Sequence, residues 1–128
     1  MEISVQEGNY AVGKLQDRRD IGKMIPGDTF CSITVTSEEV SVVCEKNKMP
    51  PCRELQDGFS LLKIEGVLDF SLTGILAGVS DILAQAQIPI FCISTYNTDY
   101  ILVRNESLEK AVQALQAQGI GIIRQPHT

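Results

Sequence analysis

The chain has 128 residues, of which 44% are hydrophobic and 21% are charged, a balance typical of one compact domain or two very small ones. Its formal net charge of −5 argues against a nucleic-acid partner, because phosphate-binding surfaces are normally basic. No apolar run approaches the roughly 20 residues of a membrane-spanning helix, and the first residues do not resemble a signal peptide. We therefore expect a cytoplasmic protein with no nucleic-acid and no membrane partner.

The first part of the chain contains short apolar runs separated by polar segments. Residues 10–15, 30–36 and 40–45 are predicted to be strands. The polar, glycine-containing segment 17–27 is predicted to form a short helix at most, and residues 47–57, with two adjacent prolines, are predicted to be a linker. This part is therefore expected to be a reduced domain.

The second part shows a regular alternation of strand and helix patterns. Between residues 70 and 88 apolar side chains recur at steps of three and four, which indicates one buried face of a helix. The predicted elements are strand 58–67, a helix from residue 70, strand 88–96, strand 100–103, helix 106–118 with Gly119 in a left-handed conformation after it, and strand 120–124. This βαββαβ order predicts an α+β, ferredoxin-like fold with both helices on one face of a four-stranded antiparallel sheet.

The two parts share a weak internal repeat at an offset of 60 residues. Ile33 to Thr36 align with Ile93 to Tyr96, and Glu39 then aligns with Asp99. The repeat predicts two related halves, a reduced one at 1–57 and a complete one at 58–128.

The four cysteines do not form a recognisable metal or redox motif. No Cys-x-x-Cys pair is present, and the single histidine, His127, lies one residue from the end of the chain, so neither a metal nor another cofactor is predicted. Cys31, Cys44 and Cys92 lie in apolar runs and are predicted to be small, buried, reduced side chains.

A first candidate site spans residues 69–74, where a strand leads into a helix. Free N–H groups and the helix dipole attract carboxylates at such a position. Asp69 or Ser71 is the expected cap, and Gly74, predicted in the first turn, would let a ligand approach the backbone beside Thr73. Close packing of helix on sheet explains this glycine equally well.

A second candidate site is the polar stretch between the strands 88–96 and 100–103. In one interpretation it is a turn in which Asn97 and Asp99 bond their own backbone. In the other, Asp99 recognises an ammonium or guanidinium group, and Thr95 and Asn97 add neutral hydrogen bonds. A helix N-terminus can bind a carboxylate and an acidic residue can bind an amine, so the two candidate sites together match the two charged groups of a free amino acid. A histidine base, a nucleophile elbow and a phosphate loop are absent from the sequence, so no catalytic residue is predicted.

These residues resemble the ACT-domain family. The resemblance rests on Asp69 and Gly74 around the first strand–helix junction, the Gln-Ala-Gln break at 85–87 and the Ile-Pro-Ile-Phe-Cys-Ile-Ser-Thr strand at 88–95. More closely, residues 70–103 resemble a subgroup of stand-alone tandem ACT proteins related to the cytosolic arginine sensors of animal cells.

The resemblance implies a regulatory function. ACT domains bind small ligands, usually amino acids, where two of them pair edge to edge, and they commonly modulate an enzyme or another partner. By position, Ser71, Thr73 and Gly74 would line the carboxylate end, and Thr95, Tyr96 and Asp99 would face the neighbouring half. We therefore expect a non-catalytic, amino-acid-binding module that forms a homodimer or associates with a partner enzyme or regulator. The alternative is a structural pairing module that binds no ligand.

Overall fold

The computed structural model describes the whole chain except residues 25, 26, 28, 67–73 and 125–128. The chain folds as two compact units: Met1–Glu7 together with Phe59–Thr128, here called the discontinuous unit, and Gly8–Gly58, here called the inserted unit. The strands are β1 (Glu2–Leu15), β2 (Cys31–Val35), β3 (Val40–Glu45), β4 (Cys52–Ile64), β5 (Phe91–Ser94), β6 (Asp99–Arg104) and β7 (Gly121–Arg124), and the helices are α1 (Ile75–Gln85) and α2 (Leu108–Ala117). An α+β fold built largely on antiparallel strand pairs is therefore confirmed.

In the inserted unit, β3 pairs with antiparallel neighbours on both sides. Tyr10 of β1 lies opposite Glu45, and Cys31 of β2 lies opposite Cys44. The valine-rich β3 buries Val40, Val42 and Cys44, which form a small core with Leu15. Segment 17–27, for which at most a short helix was predicted, contains the 3-10 helix Arg18–Lys23. The side chain of Asp17 caps this helix by accepting a hydrogen bond from the Arg19 N–H.

Two strands begin several residues before their predicted first residues. β1 begins at Glu2 rather than residue 10, and β4 begins at Cys52, inside the segment predicted to be a linker. The linker prediction is wrong because side chains 53–57 are all exposed, so this half of β4 has no apolar alternation for a sequence to reveal.

The strands of the discontinuous unit include one that was not predicted, the first part of β1. Phe59–Lys63 of β4 pairs with β6, and β6 pairs with β5, all antiparallel. β7 lies parallel to the first residues of the chain, with Glu2 opposite Gly121, and the Glu65 N–H donates to the Glu2 carbonyl at 3.0 Å. The sequence predicted four strands here. The structure instead groups Met1–Glu7 with this unit, although the predicted division assigned these residues to the first half.

Both helices pack their apolar faces into one core. Val79 and Leu83 of α1 and Leu115 of α2 are almost fully buried against Leu62 and Ile101. A fully buried side chain of this size contributes about 1.5–3 kcal/mol. Neither helix in the described part of the chain is long and apolar enough to cross a membrane.

The two helices end in the same hydrogen-bonded motif with different residues. After α2, the Ile120 N–H donates to the Leu115 carbonyl and Gly119 has a φ of 84°, which confirms its predicted left-handed conformation. After α1, the Ile88 N–H bonds the Leu83 carbonyl in the same way, but the left-handed position, with a φ of 60°, is occupied by Gln87.

The hairpins β2–β3 and β5–β6 are repeated at an offset of 59, so the predicted offset of 60 is wrong by one residue. Val35 lies opposite Val40, and Ser94 lies opposite Asp99. The 3-10 helices that follow, Lys46–Lys48 and Asn105–Ser107, keep the same offset. The counterpart of Asp99 is therefore the buried Val40, and not Glu39.

Candidate functional site

Gly74 lies immediately before α1 rather than inside its first turn. It is the N-cap residue, with a φ of 81°, and the Gly78 N–H donates to its carbonyl at 2.8 Å. This left-handed conformation explains the glycine, because other residues adopt it only at a cost of about 1–2 kcal/mol. Among described residues, no heavy atom lies within 4 Å of the position that a Cβ would occupy. Tight packing against the described part of the chain therefore does not explain this glycine.

The start of α1 is otherwise only partly described. The helix begins at Ile75, not at residue 70 as predicted. The predicted cap residues Asp69 and Ser71, and the predicted ligand contact Thr73, lie outside the described residues. The cap residue of α1 has no side chain to bond the N–H groups of the first turn, which leaves these donors for another acceptor.

A groove of about 430 Å³ runs beside the start of α1. On the helix side it is lined by Gly74, Ile75, Gly78, Val79 and Ile82, and opposite them lie Met1, Gln118, Gly119 and Ile120. None of these described residues carries a charged side chain, and the groove offers apolar surface, backbone dipoles and the side-chain amide of Gln118. Sequence analysis missed the contribution of Met1, because its position depends on a strand pair far apart in the chain.

The predicted turn between β5 and β6 is present, and threonines hold it. The Thr95 N–H donates to the Thr98 carbonyl at 2.8 Å, and the Thr95 hydroxyl accepts the Thr98 N–H at 3.3 Å. The Thr98 hydroxyl donates to the Ile64 carbonyl at 2.7 Å, which fastens the turn to the end of β4. Thr36 closes the other hairpin in the same way, with its N–H bonded to the Glu39 carbonyl. Sequence analysis did not single out Thr98.

The predicted recognition residues differ in exposure. Thr95 and Asn97 are exposed, and Tyr96 is 84% exposed. Asp99 is half-buried, and its carboxylate accepts a hydrogen bond from the Ser94 hydroxyl across the strand pair. One carboxylate oxygen is thus engaged by a neutral donor, and the group keeps further acceptor capacity for a cation.

The strand register places Asp99 at the end of β4 that leads towards α1. Lys63 lies opposite Tyr100, so Asp99 is level with Ile64, the last residue of β4. Asp99 is not among the described residues that line the groove beside Gly74. The two halves of the predicted site therefore share an end of the fold without sharing this groove.

The cysteines differ from prediction at two positions. Cys44 is buried as predicted, but Cys31 is only half-buried and Cys92 is exposed, so the prediction that these two side chains are buried is wrong; Cys52 is half-buried. β5 is the last strand of the order, where one edge and much of each side chain face solvent. Desolvation raises the pKa of all four thiols, and the negative charge of Asp99 raises the pKa of Cys92 further.

Among described residues, no three His, Cys, Asp or Glu side chains are placed to hold a metal ion.

Comparison with known proteins identifies the family. The family model for the ACT domain matches residues 54–117, which is half of the chain. The chain belongs to the ACT-domain family. A second family model, which describes an N-terminal domain, matches residues 8–51. No curated protein matches the chain.

Solved structures agree with an ACT fold. A crystal structure of an Agrobacterium tumefaciens protein is 31% identical and superimposes with a TM-score of 0.86, covering 98% of this chain and 94% of that one. The ligand-free regulatory subunit of aspartate kinase from Thermus thermophilus is 12% identical, with a TM-score of 0.63 and coverages of 91% and 96%. Aspartate kinase from Clostridium acetobutylicum, described as an allosteric enzyme, is 16% identical, with a TM-score of 0.68 and coverages of 90% and 33%. The last two similarities show the fold alone.

Proposed function

We propose that this ACT-family chain is a regulatory module that binds a free amino acid and has no catalytic activity of its own. Its membership of the ACT family supports a ligand-binding function. The observation that carries the proposal is the strand register that puts Asp99 level with the end of β4, the strand that leads to the glycine-capped start of α1. An acidic group and a helix N-terminus at one end of a fold suit the two charges of a zwitterion.

In the proposed complex the ligand carboxylate binds at the start of α1. Gly74 leaves the backbone accessible there, Ser71 and Thr73 are the residues proposed to complete this end, and Asp69 is proposed to cap the helix. The ligand ammonium binds Asp99, whose carboxylate is already oriented by Ser94. A charge-assisted hydrogen bond of this kind contributes about 1.5–3 kcal/mol when it is shielded from water.

A second ACT unit is proposed to complete the site. β5 is the last strand of the order and exposes Phe91, which is 41% exposed, together with Cys92 and Ser94. Such an edge favours pairing with another strand. Because Asp99 does not line the groove beside Gly74, we propose that Thr95, Tyr96 and Asn97 face a neighbouring copy in a homodimer, or a partner enzyme or regulator.

We further propose that the inserted unit is a reduced ACT-type half, so that the chain has two such halves. Its strands pair in the same order as β4, β6 and β5 do, and the 3-10 helix Arg18–Lys23 lies between its first two strands, where α1 occurs in the complete half. Between Lys46–Lys48 and β4 the inserted unit has no described helix that corresponds to α2. This arrangement fits the tandem subgroup related to cytosolic arginine sensors. Arginine is therefore the first ligand to test, and the cytoplasm is the proposed location.

The test is a thermal-shift screen of the twenty amino acids at millimolar concentration, beside light scattering for oligomeric state. A ligand present at 100 times its Kd adds about 2.7 kcal/mol to stability. We expect one amino acid to raise Tm, Asp99→Asn to abolish the shift, and the exposed helix substitution Asp81→Asn to preserve it. Silence for all twenty would refute amino-acid binding.

The alternative is a structural pairing module, and the separation of Asp99 from the groove favours it. In this case the chain forms a dimer whose Tm is unchanged by any of the twenty amino acids. The substitution Phe91→Lys, which disrupts the β5 edge, yields a monomer. A ligand-dependent Tm excludes this alternative.

A further inference from the structure

The core of the inserted unit is rich in sulfur. The chain has four cysteines and three methionines, and five of these seven side chains pack together in this one core: Met24, Cys31, Cys44, Met49 and Cys52. The other two, Met1 and Cys92, belong to the discontinuous unit. Thiols and thioethers are soft ligands, which select Cu(I) among the biological metal ions. The core therefore supplies the ligand types of a soft-metal site.

Two of these thiols face each other across the β2–β3 strand pair. Cys31 lies opposite Cys44, and the bond from the Thr36 N–H to the Glu39 carbonyl fixes which positions of this hairpin are hydrogen-bonded. Counted from that bond, Cys31 and Cys44 are a non-hydrogen-bonded pair, in which the Cα atoms lie about 4.5 Å apart and the side chains are closest. Burial raises the pKa of Cys31, and a hydrogen bond with the Cys44 thiol partly opposes this effect, so the two thiols are in contact.

A thioether lies beside the same pair of thiols. The Sγ atom of Cys44 is 4.0 Å from the Sδ atom of Met49. For a metal–sulfur bond of about 2.3 Å, two ligands of a trigonal ion lie about 4.0 Å apart. A Cβ at Gly13 would lie 3.1 Å from Met49 Sδ, so the glycine at this position of β1 makes room for the thioether. The separation of the two sulfur atoms therefore fits a trigonal metal ion.

We propose that Cys31, Cys44 and Met49 form a trigonal site for one Cu(I) ion. Copper bonds to two thiolates and the neutral thioether, the two thiol protons leave to solvent, and the oxidation state of copper does not change. The bound complex carries one negative charge. Burial raises the pKa of Cys44 and the charge of Lys48 partly opposes this effect, so the same ammonium stabilises the complex. Cys31 is half-buried and lines a cavity together with Cys44, which gives the ion a path from solvent.

Copper at this site joins three segments of the inserted unit. Cys31 lies on β2, Cys44 lies on β3, and Met49 follows the 3-10 helix Lys46–Lys48. An ion that binds only the folded state stabilises it by mass action. The chain thereby carries a metal site in a different unit from the site proposed for an amino acid.

The first test is a competition for Cu(I) between the reduced full chain and bicinchoninate, followed without oxygen by the colour of the copper–bicinchoninate complex. We expect the wild type to withdraw one Cu(I) per chain. Cys31→Ala and Cys44→Ala should each weaken Cu(I) binding by more than about hundredfold, because changes outside the ligand shell already cost about 10–100-fold. Circular dichroism checks that the variants fold, and the half-buried Cys31 is the position that tolerates truncation better.

Matched variants separate this site from other sulfur atoms. Cys92→Ser should retain Cu(I), because Cys92 is exposed and belongs to the other unit. Met49→Leu should weaken Cu(I) by about tenfold, whereas Met24→Leu, in the same core, should leave the affinity unchanged. Asp99→Asn should also leave it unchanged, so this result is independent of the outcome for the amino-acid site.

Two further measurements read out the ligands and the cross-link. X-ray absorption at the copper edge should show three sulfur donors, and Cu(I) should raise the Tm of the wild type but not that of Cys31→Ala. A shell of nitrogen or oxygen donors, or copper binding that depends on Cys92, would show an adventitious ion only. Unchanged affinity in Cys31→Ala, or zinc bound as tightly as Cu(I), would likewise overturn the proposal.

Discussion

The hydroxyl of Thr98 offers a direct test of how the β5–β6 turn is held. Thr98 is 4% exposed, and its hydroxyl donates at 2.7 Å to the carbonyl of Ile64, a residue that is 1% exposed. Thr98→Val keeps the shape of the side chain and removes the donor. The carbonyl then loses a buried partner, a change that costs about 1–3 kcal/mol.

The gain from burying a methyl group in place of the hydroxyl offsets part of this cost. We therefore expect Thr98→Val to destabilise the chain by roughly 1–2 kcal/mol, which corresponds to a fall in Tm of about 3–8 °C. Urea unfolding followed by far-ultraviolet circular dichroism measures the change, and an unchanged m value shows that the unfolded state is comparable.

The matched control is Thr34→Val, because Thr34 is exposed on β2. We expect this control to remain within about 0.5 kcal/mol of the wild type, as surface substitutions usually do. If Thr98→Val were equally neutral, the bond to Ile64 would not stabilise the fold, and the argument that it fastens the turn to β4 would be refuted.

Four further substitutions test the helices and the buried thiol. Gln87→Gly should stabilise by about 0.5–1 kcal/mol because it relieves a left-handed conformation, whereas Gly119→Gln should destabilise by about 1 kcal/mol, both measured by urea unfolding. Leu83→Ala should cost about 3–5 kcal/mol, since Leu83 is fully buried, and a loss below 1 kcal/mol would contradict its place in the core. Burial raises the pKa of Cys44 from its usual value near 9 to about 11. The neutral thiol therefore stabilises the fold fully below pH 9, and this contribution falls as the pH rises towards 11. The wild type should lose roughly 1–2 kcal/mol more than Cys44→Ala over this interval, and parallel pH profiles would show that the thiol is not desolvated.

Local patterns predicted the elements that their own side chains specify. β3 is rich in valine and coincides with its predicted bounds, 40–45, and α2 lies within its predicted range. The polar half of β4 and the first half of β1 were missed because distant strand pairing, rather than local hydrophobicity, specifies them. The repeat was predicted one residue out of register because similar apolar residues recur along both hairpins, and only the ladder fixes which of them correspond.

The sequence was sufficient to select candidate site residues by their type, but it was not sufficient to predict where those residues lie relative to one another. Acidic and small residues marked Asp99 and Gly74 as unusual, yet the sequence placed Gly74 inside a helix whose first residue is Ile75. The exposure of Cys92 depends on β5 being an outer strand, which composition does not reveal. Thr98 was missed because its role depends on a carbonyl 34 residues away.

The split of one unit across the chain has a consequence for synthesis on the ribosome. Gly8–Gly58 is continuous, so it is able to fold as soon as it emerges. Met1–Glu7 leaves the exit tunnel before this unit, yet its parallel partner β7 is translated only after it. We expect Met1–Glu7 to wait for β7, and so to reach its final place after the continuous unit has folded.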